Sequence, residues 1–265
     1  MFKKLGKITL AIIIAAGVFS SCKYEKLLKS TDYKLKYRKA IEFYHAEDYE
    51  HAIGLLEQLN PVLKATKKAD TVLFYLADSY FEQEDYILSE HHFKQFYETF
   101  GNHEWSSQAE FMTGYCNYKL SPRPQLDQSY TRKAINQFQL FMRRHPNSPK
   151  ISKCNKLISD LKDKLAKKAY NSAKLYYNMK DYKAAIIALE NTLKRYPGTT
   201  HREELRYLIL KSKYNLAANS VEQKEQKRYQ STLDEYYTFT NEFPDSEYSD
   251  KVKTIYKKTQ NYLEN

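Results

Sequence analysis

The sequence predicts an all-α chain built by stacking short helix pairs into a solenoid, and three observations predict it. A turn followed by tyrosine recurs as Glu47-Asp48-Tyr49, Glu84-Asp85-Tyr86 and Lys180-Asp181-Tyr182, with a looser copy at Lys227-Arg228-Tyr229; three residues after each tyrosine stands a small residue, Ala52, Ser89, Ala185 or Thr232. A terminating element recurs as Arg144-His145-Pro146-Asn147-Ser148, Arg195-Tyr196-Pro197-Gly198-Thr199 and Glu242-Phe243-Pro244-Asp245-Ser246, with Phe100-Gly101-Asn102 in the same role. The third observation is compositional: 265 residues, 42% hydrophobic and 15% aromatic, hold only 6 glycines, which suits helices.

Ala169–Thr199 shows the unit most clearly. Two amphipathic segments flank the turn at Met179-Lys180-Asp181, Ala173 and Ala185 are placed to let the two helices cross closely, and Pro197 ends the second helix because it lacks an N–H and clashes with the preceding turn. This is the tetratricopeptide pattern, in which a helix pair cannot bury its apolar face alone and stacks on its neighbours. The expected architecture is a right-handed solenoid of about five such pairs with a terminal capping helix.

Taken in order, residues 1–21 read as a lipoprotein signal peptide. Lys3, Lys4 and Lys7 precede an apolar run from Ile8 to Phe19, followed by Ser20-Ser21-Cys22. The run is shorter than the roughly 20 residues a membrane span needs, and the layout is that of an export signal. Small residues before a cysteine resemble a lipobox, with Phe19 where leucine is usual, and make Cys22 the lipidation site; the other reading is an ordinary signal peptide cleaved near Ser21. Lys23 follows where lipoproteins kept at the inner membrane often carry Asp, so the expected address is the periplasmic face of the outer membrane.

Residues 22–31 are expected to be a lipidated tether. Residues 32–148 hold repeat units 1–3: a helix from Asp32 to about Ala46, its partner over Tyr49–Leu59 closed by Pro61, a helix capped by Asp70, and Tyr86–Phe100. The third pair is interrupted by a turn insertion, Ser121–Asp127, before a helix over Ser129–Arg144. Residues 149–265 hold a long linking helix from Ile151 towards Asn178, units 4 and 5, a second turn insertion around Asn219–Gln226, and a polar capping helix over Ser249–Leu263.

Met112-Thr113-Gly114, the proline-bearing insertion ending in Asp127, Ala134-Ile135, Phe138 and Arg144-His145-Pro146-Asn147-Ser148 resemble the central part of the BamD family (also called YfiO or ComL). So does Lys162-Asp163-Lys164-Leu165-Ala166-Lys167 leading into Ala173, Tyr176-Tyr177 and Arg195-Tyr196-Pro197. The similarity spans about Asp32 to Ser246. It implies a five-repeat, non-catalytic lipoprotein scaffold of the outer-membrane β-barrel assembly machine. The implied partners are the periplasmic domains of the barrel-forming subunit, other assembly lipoproteins and unfolded outer-membrane proteins. A cell-envelope coordinator or peptidoglycan-linked lipoprotein on the same repeats is the alternative. Glycan-capture lipoproteins of this fold are usually much longer, with large insertions that this chain lacks.

No catalytic constellation stands out: no HExxH, no phosphate loop, no nucleophile elbow. No catalytic residue, cofactor or metal ligand is expected, since the adjacent His91 and His92 point in different directions on a helix. Cys116 and Cys154 read as two buried thiols, a disulfide being the alternative in an exported chain.

The charge is uneven. Between Arg132 and Lys174 stand twelve Lys or Arg against Asp160 and Asp163, a net +10 beside +11 for the whole chain. This stretch is a solvated face, a dock for an acidic protein centred on Lys156, Lys164 and Lys167, or a contact with anionic lipid. Export removes the protein from nucleic acid. Tyr37, Tyr44, Tyr75 and Tyr80, with Phe74, fall on first helices, which line the concave face of this architecture. They are either packing residues or a groove for an extended peptide.

Overall fold

A computed structural model describes residues 23–264, and every regular element among them is helical. Residues 23–29 form α1. Then follow α2 (Tyr33–His45), α3 (Tyr49–Leu63), α4 (Ala69–Glu82), α5 (Tyr86–Thr99), α6 (Ser106–Leu120), α7 (Ser129–Arg144), α8 (Ile151–Asn178), α9 (Tyr182–Arg195), α10 (Arg202–Ala218), α11 (Glu222–Glu242) and α12 (Ser249–Leu263). The fold is the tetratricopeptide type. The expected signal peptide and Cys22 lie outside the described residues.

The recurrent turn has one geometry in three copies. Glu47, Glu84 and Lys180 take φ of 59°, 60° and 62°, the left-handed region that lets a short turn reverse the chain. The next residue in each case, Asp48, Asp85 or Asp181, is an N-cap whose carboxylate accepts from the N–H three residues on, at His51, Leu88 or Ala184. Each cap satisfies an orphan N–H and contributes about 1 kcal/mol. The small residue behind the turn is sealed: Ala52, Ser89 and Ala185 are fully buried.

The chain divides into two compact units. One holds the residues up to Ser121 together with Ser129–Cys154; the other holds Pro122–Gln128 and everything from Asn155 onward. The boundary falls inside α8. In the first unit α2 to α7 pack in sequence order. Leu55, Leu56, Leu59, Val72 and Leu76 form one core, and Phe93, Phe96, Phe111, Phe138 and Phe141 are buried further along. Gly114 is required here: a Cβ would stand 2.9 Å from the Phe138 ring. In the second unit Tyr170, Ala173, Ala185, Leu189, Leu205 and Ile209 form one core, and Tyr207, Leu210, Phe239, Val252 and Ile255 another.

Buried carboxylates fasten helices in both units. Glu110 accepts from Arg144 at 2.9 Å and meets His145 at 2.8 Å. Glu235 sits between Arg206 at 3.2 Å and Lys213 at 2.7 Å. The links Tyr44–Asp78, Glu110–Arg144 and Tyr170–Glu204 each join residues 34 positions apart, the length of one tetratricopeptide repeat.

Four local expectations need correction. The segment read as a tether is helical over 23–29, and Tyr24, Leu27 and Leu28 pack on the first core. Seven residues are too few for helical periodicity to mark, so the apolar face of this segment shows only where it meets the core. Pro61 lies inside α3, which runs on to Leu63. Asp70 is in the first turn of α4 and does not cap it; Lys68 holds the cap position without a side-chain bond. The turn insertion around Asn219–Gln226 is mostly helix, since α11 starts at Glu222. Glu222 and Glu225 in the first turn favour that start through the helix dipole. The insertion in the third pair is a folded loop: the buried Gln128 donates from Nε2 to Arg123 O at 2.9 Å and Leu126 O at 3.1 Å.

Candidate binding groove and basic face

In the first unit, α2 and α4 leave an open groove walled by Tyr37, Arg38, Ile41, His45, Thr71 and Tyr75. Tyr37, Ile41 and Tyr44 recur at helical spacing along one face of α2. The Tyr44 ring lies flat on Tyr75, with centroids 4.0 Å apart and planes 8° apart. Its hydroxyl donates to Asp78 Oδ2 at 2.6 Å. Tyr75 in turn stacks on Trp105 at 5.9 Å, so one aromatic ladder runs from α2 across α4 to the start of α6. Lys68 Nζ stands 4.0 Å from the centroid of Tyr37. Burial raises the Tyr44 hydroxyl above its ordinary value, and the bond to Asp78 adds to this. Burial also lifts Asp78, while the bond from Tyr44 pulls the other way. The groove therefore presents rigid rings with hydroxyls, a guanidinium at Arg38, an imidazole at His45, and a carboxylate at Glu42 that is paired with Lys39.

Tyr37 and Tyr75 are the expected groove residues that the structure brings to the wall, and Tyr44 supports them from below. Tyr80 does not join them. It is 7% exposed, donates to Glu57 and stacks on His92 at 5.6 Å, on the face of α4 turned towards the core. Helical phase explains the split: Tyr80 lies five residues after Tyr75, about 140° round the helix. The sequence reading missed Arg38, His45 and Trp105. The first two lie at the helix positions next to Tyr37 and Tyr44, and Trp105 precedes α6 in a loop that helical periodicity does not reach.

The basic stretch is used in several ways. Lys156 is exposed, whereas Lys164 is half-buried and desolvation lowers its pKa. Lys167 Nζ lies 4.9 Å from the Tyr170 centroid. Others are engaged within the fold: Lys153 over Tyr115 at 4.9 Å, Lys168 on Leu126 O at 2.7 Å, and Lys174 on Glu204 at 2.9 Å. Cys116 and Cys154 are buried free thiols; burial pushes Cys116 up to about 12. Among the described residues no group of three or more His, Cys, Asp and Glu is placed to hold a metal ion. No described helix is long and apolar enough to cross a membrane.

The YfiO family model, described as outer membrane lipoprotein, matches residues 30–220 and 169–264. The chain belongs to the YfiO family. It is thus a tetratricopeptide member of a family of outer membrane lipoproteins, and repeats of this kind serve as protein-interaction scaffolds. No curated protein matches the sequence. Among solved structures, the TPR2AB domain of yeast Sti1 in its pHSP90 complex is 16% identical over 86% of this chain and 98% of that one, with a TM-score of 0.39. A thermophilic TPR protein of Thermus thermophilus is 13% identical over the same shares, 86% and 98%, with a TM-score of 0.33. For this YfiO member, the open groove of the first unit and the exposed lysines of α8 are the candidate contact surfaces.

Proposed function

We propose that this chain is a non-catalytic scaffold of the outer-membrane β-barrel assembly complex. It is held at the periplasmic face by lipid on Cys22 and binds the periplasmic domains of the barrel-forming subunit, with other assembly lipoproteins as neighbours. The observation that carries the reading is the YfiO match over almost the whole helical chain. The groove between α2 and α4 is the surface offered to an extended segment of an unfolded outer-membrane protein. Flat tyrosine faces at Tyr37 and Tyr75 accept apolar side chains at low entropic cost, and hydroxyls accept backbone donors. Lys156 and Lys167, with Lys164 beside them, are the docking face for an acidic partner, whose on-rate falls as salt screens the field.

The test is recovery of proteins on a tagged full-length copy after mild detergent extraction. The barrel-forming subunit should be retained, and Lys156→Glu with Lys167→Glu should weaken its binding most at low salt. Retention of cell-wall or division proteins without the barrel subunit would refute the assembly role.

A further inference from the structure

The described chain begins on a second cavity. It opens between α1, one face of α2 from Leu35 to Phe43, and the start of α3, with a volume of about 580 Å³, inside the roughly 300–1,000 Å³ of ordinary ligand sites. Its floor is apolar and its rim cationic. Tyr24, Leu27, Leu35 and Phe43 make the floor, all half-buried. Lys23, Lys26 and Lys39 stand round it. Asp48 is the acid in the lining, and it is already taken, meeting His51 Nδ1 at 2.8 Å. Lys39 pairs with Glu42 at the surface; Lys23 and Lys26 pair with no described carboxylate.

The cavity is built into the fold. Tyr24 donates to His51 O at 3.1 Å and sets its ring edge-on to His51 at 4.2 Å. The buried Lys36 fastens the end of α1, donating from Nζ to Leu28 O at 2.9 Å and to Gln58 Oε1 at 2.6 Å. A buried ammonium is costly unless it is hydrogen-bonded, so this clamp marks α1 as a fixed wall. Gly54 leaves room for the same wall: a Cβ there would stand 2.2 Å from the Tyr24 hydroxyl.

Lys23, on the rim, directly follows Cys22. A lipid on Cys22 would hold this rim within one residue of the bilayer surface. We propose that the cavity binds one anionic phospholipid of the leaflet that carries the anchor. One acyl chain lies along Tyr24, Leu27 and Phe43, and the phosphate sits among Lys23, Lys26 and Lys39. A lysine beside an anionic lipid surface gives roughly a fivefold gain in binding, so three select strongly for negative headgroups. The inference rests on Cys22 lipidation for its geometry, and bound lipid would fix how the first unit is presented to the membrane.

The experiment places the full-length lipoprotein in vesicles of phosphatidylcholine alone or mixed with phosphatidylglycerol, and reads flotation and amide exchange of residues 23–51. Flotation reports the anchor, and the lipid dependence of exchange reports the cavity. The expected result is slower exchange only with phosphatidylglycerol, lost in the variant carrying Lys23→Gln, Lys26→Gln and Lys39→Gln, which still floats. Equal exchange in both vesicles would overturn the proposal. If the protein does not float, the anchor reading fails by itself. The cavity is then judged by titration with soluble dihexanoyl-phosphatidylglycerol against dihexanoyl-phosphatidylcholine. A preference above the roughly fivefold gain of a single lysine is expected for the anionic lipid, and none would overturn the proposal.

Discussion

Tyr37 and Tyr170 occupy the same slot of the repeat, eleven residues before the aspartate that caps the following helix, Asp48 or Asp181. Phe74 fills that slot before Asp85. Tyr170 is closed on every side. His201 stacks on its ring at 4.6 Å and 17°, Glu204 accepts from its hydroxyl at 2.6 Å, and Lys174 donates to the same hydroxyl at 2.8 Å. It is 4% exposed. Tyr37 has Lys68 over its ring and otherwise walls the open groove. The fold thus asks for one aromatic face per repeat at this slot. What covers the remainder differs, and an uncovered remainder is where a partner can be held.

The shared half of this comparison breaks most easily at Ala185 and Ala52, both fully buried three residues after the turn tyrosine. Ala185→Arg forces a long charged side chain between crossing helices. Overpacking and an unpaired buried charge together should cost about 4 kcal/mol or more. Ala52→Arg should do the same in the first unit. Thermal unfolding monitored by far-UV circular dichroism checks both; a midpoint equal to the unsubstituted protein in either would mean the repeats are not in this register.

The differing half is probed at the two tyrosines themselves. Tyr170→Ala empties a closed pocket and removes one of the two donors to Glu204, so a loss of about 3 kcal/mol in urea unfolding is expected. Tyr37→Ala exposes groove that is already open and should cost about 1 kcal/mol or less, while weakening capture of an extended outer-membrane-protein peptide. If the two variants lost equal stability, Tyr37 would be an ordinary core residue and the groove reading would fall.

A second contrast sits one hydrogen bond away. Tyr44–Asp78 and Tyr170–Glu204 are both tyrosine–carboxylate links of 2.6 Å between first helices of successive repeats. In each, the stacked ring, Tyr75 or His201, lies three residues before the acid. The carboxylates shift in opposite directions. Burial lifts Asp78 above 3.8, with no cation beside it. Burial acts upward on Glu204 too, but the bonds from Tyr170 and Lys174 and the charge of Lys174 outweigh it and hold the acid below 4.5. A raised acid takes a proton more readily when folded, so Asp78 contributes relative stability as pH falls and is a liability at neutrality. A lowered acid contributes stability above 4.5 that is lost as pH falls through its folded value. At pH 7 Glu204→Gln should therefore cost about 1 kcal/mol, after allowing for solvent screening. Asp78→Asn, which still accepts from Tyr44, should be neutral or slightly stabilising. The Glu204→Gln deficit should shrink towards about pH 4, while any Asp78→Asn advantage should also fade there. Urea midpoints at the two pH values measure this, and matching pH trends in stability for the two variants would contradict the contrast.

What the sequence disclosed follows from periodicity. The turn aspartates, the small residues behind them and the prolines that end units are fixed by backbone geometry, and that geometry recurs from unit to unit. The YfiO resemblance rested on the same elements. Coverage does not repeat. Nothing in the neighbourhood of Tyr80 distinguishes it from Tyr75, yet five residues of helix turn one inward and leave the other on the groove. Lysine counts were equally blind to use: Lys156 is exposed, Lys174 is bonded to Glu204 and Lys153 covers Tyr115. The cavity lined by Lys23, Lys26 and Lys39 is not legible in the sequence, because a short segment after a targeting signal reads as a tether. Tyr24 and Leu27 pack beneath them only because Lys36 and His51, from two later helices, meet α1.

The slots compared here are equivalent only if the turns that index them are equivalent, and this gives the smallest and most specific test. Glu47, Glu84 and Lys180 hold φ near +60° without being glycine. A side chain in that region costs about 1–2 kcal/mol relative to a right-handed residue, a strain that glycine does not carry. Against this, glycine gives the unfolded chain more freedom, at roughly 0.5–1 kcal/mol. The two nearly offset, so Glu47→Gly, Glu84→Gly and Lys180→Gly should each stabilise by about 0.5–1 kcal/mol or less. Alanine at the same positions keeps the strain and should give no such gain, so the glycine–alanine difference isolates the backbone conformation from loss of the original side chain. The three differences should agree within about 0.5 kcal/mol, because the turns share one geometry. A large difference at Glu47 or Glu84 with none at Lys180 would mean that the turn before α9 is not the turn before α3. Tyr37 and Tyr170 would then not be the same residue of the repeat, however similar their sequences look.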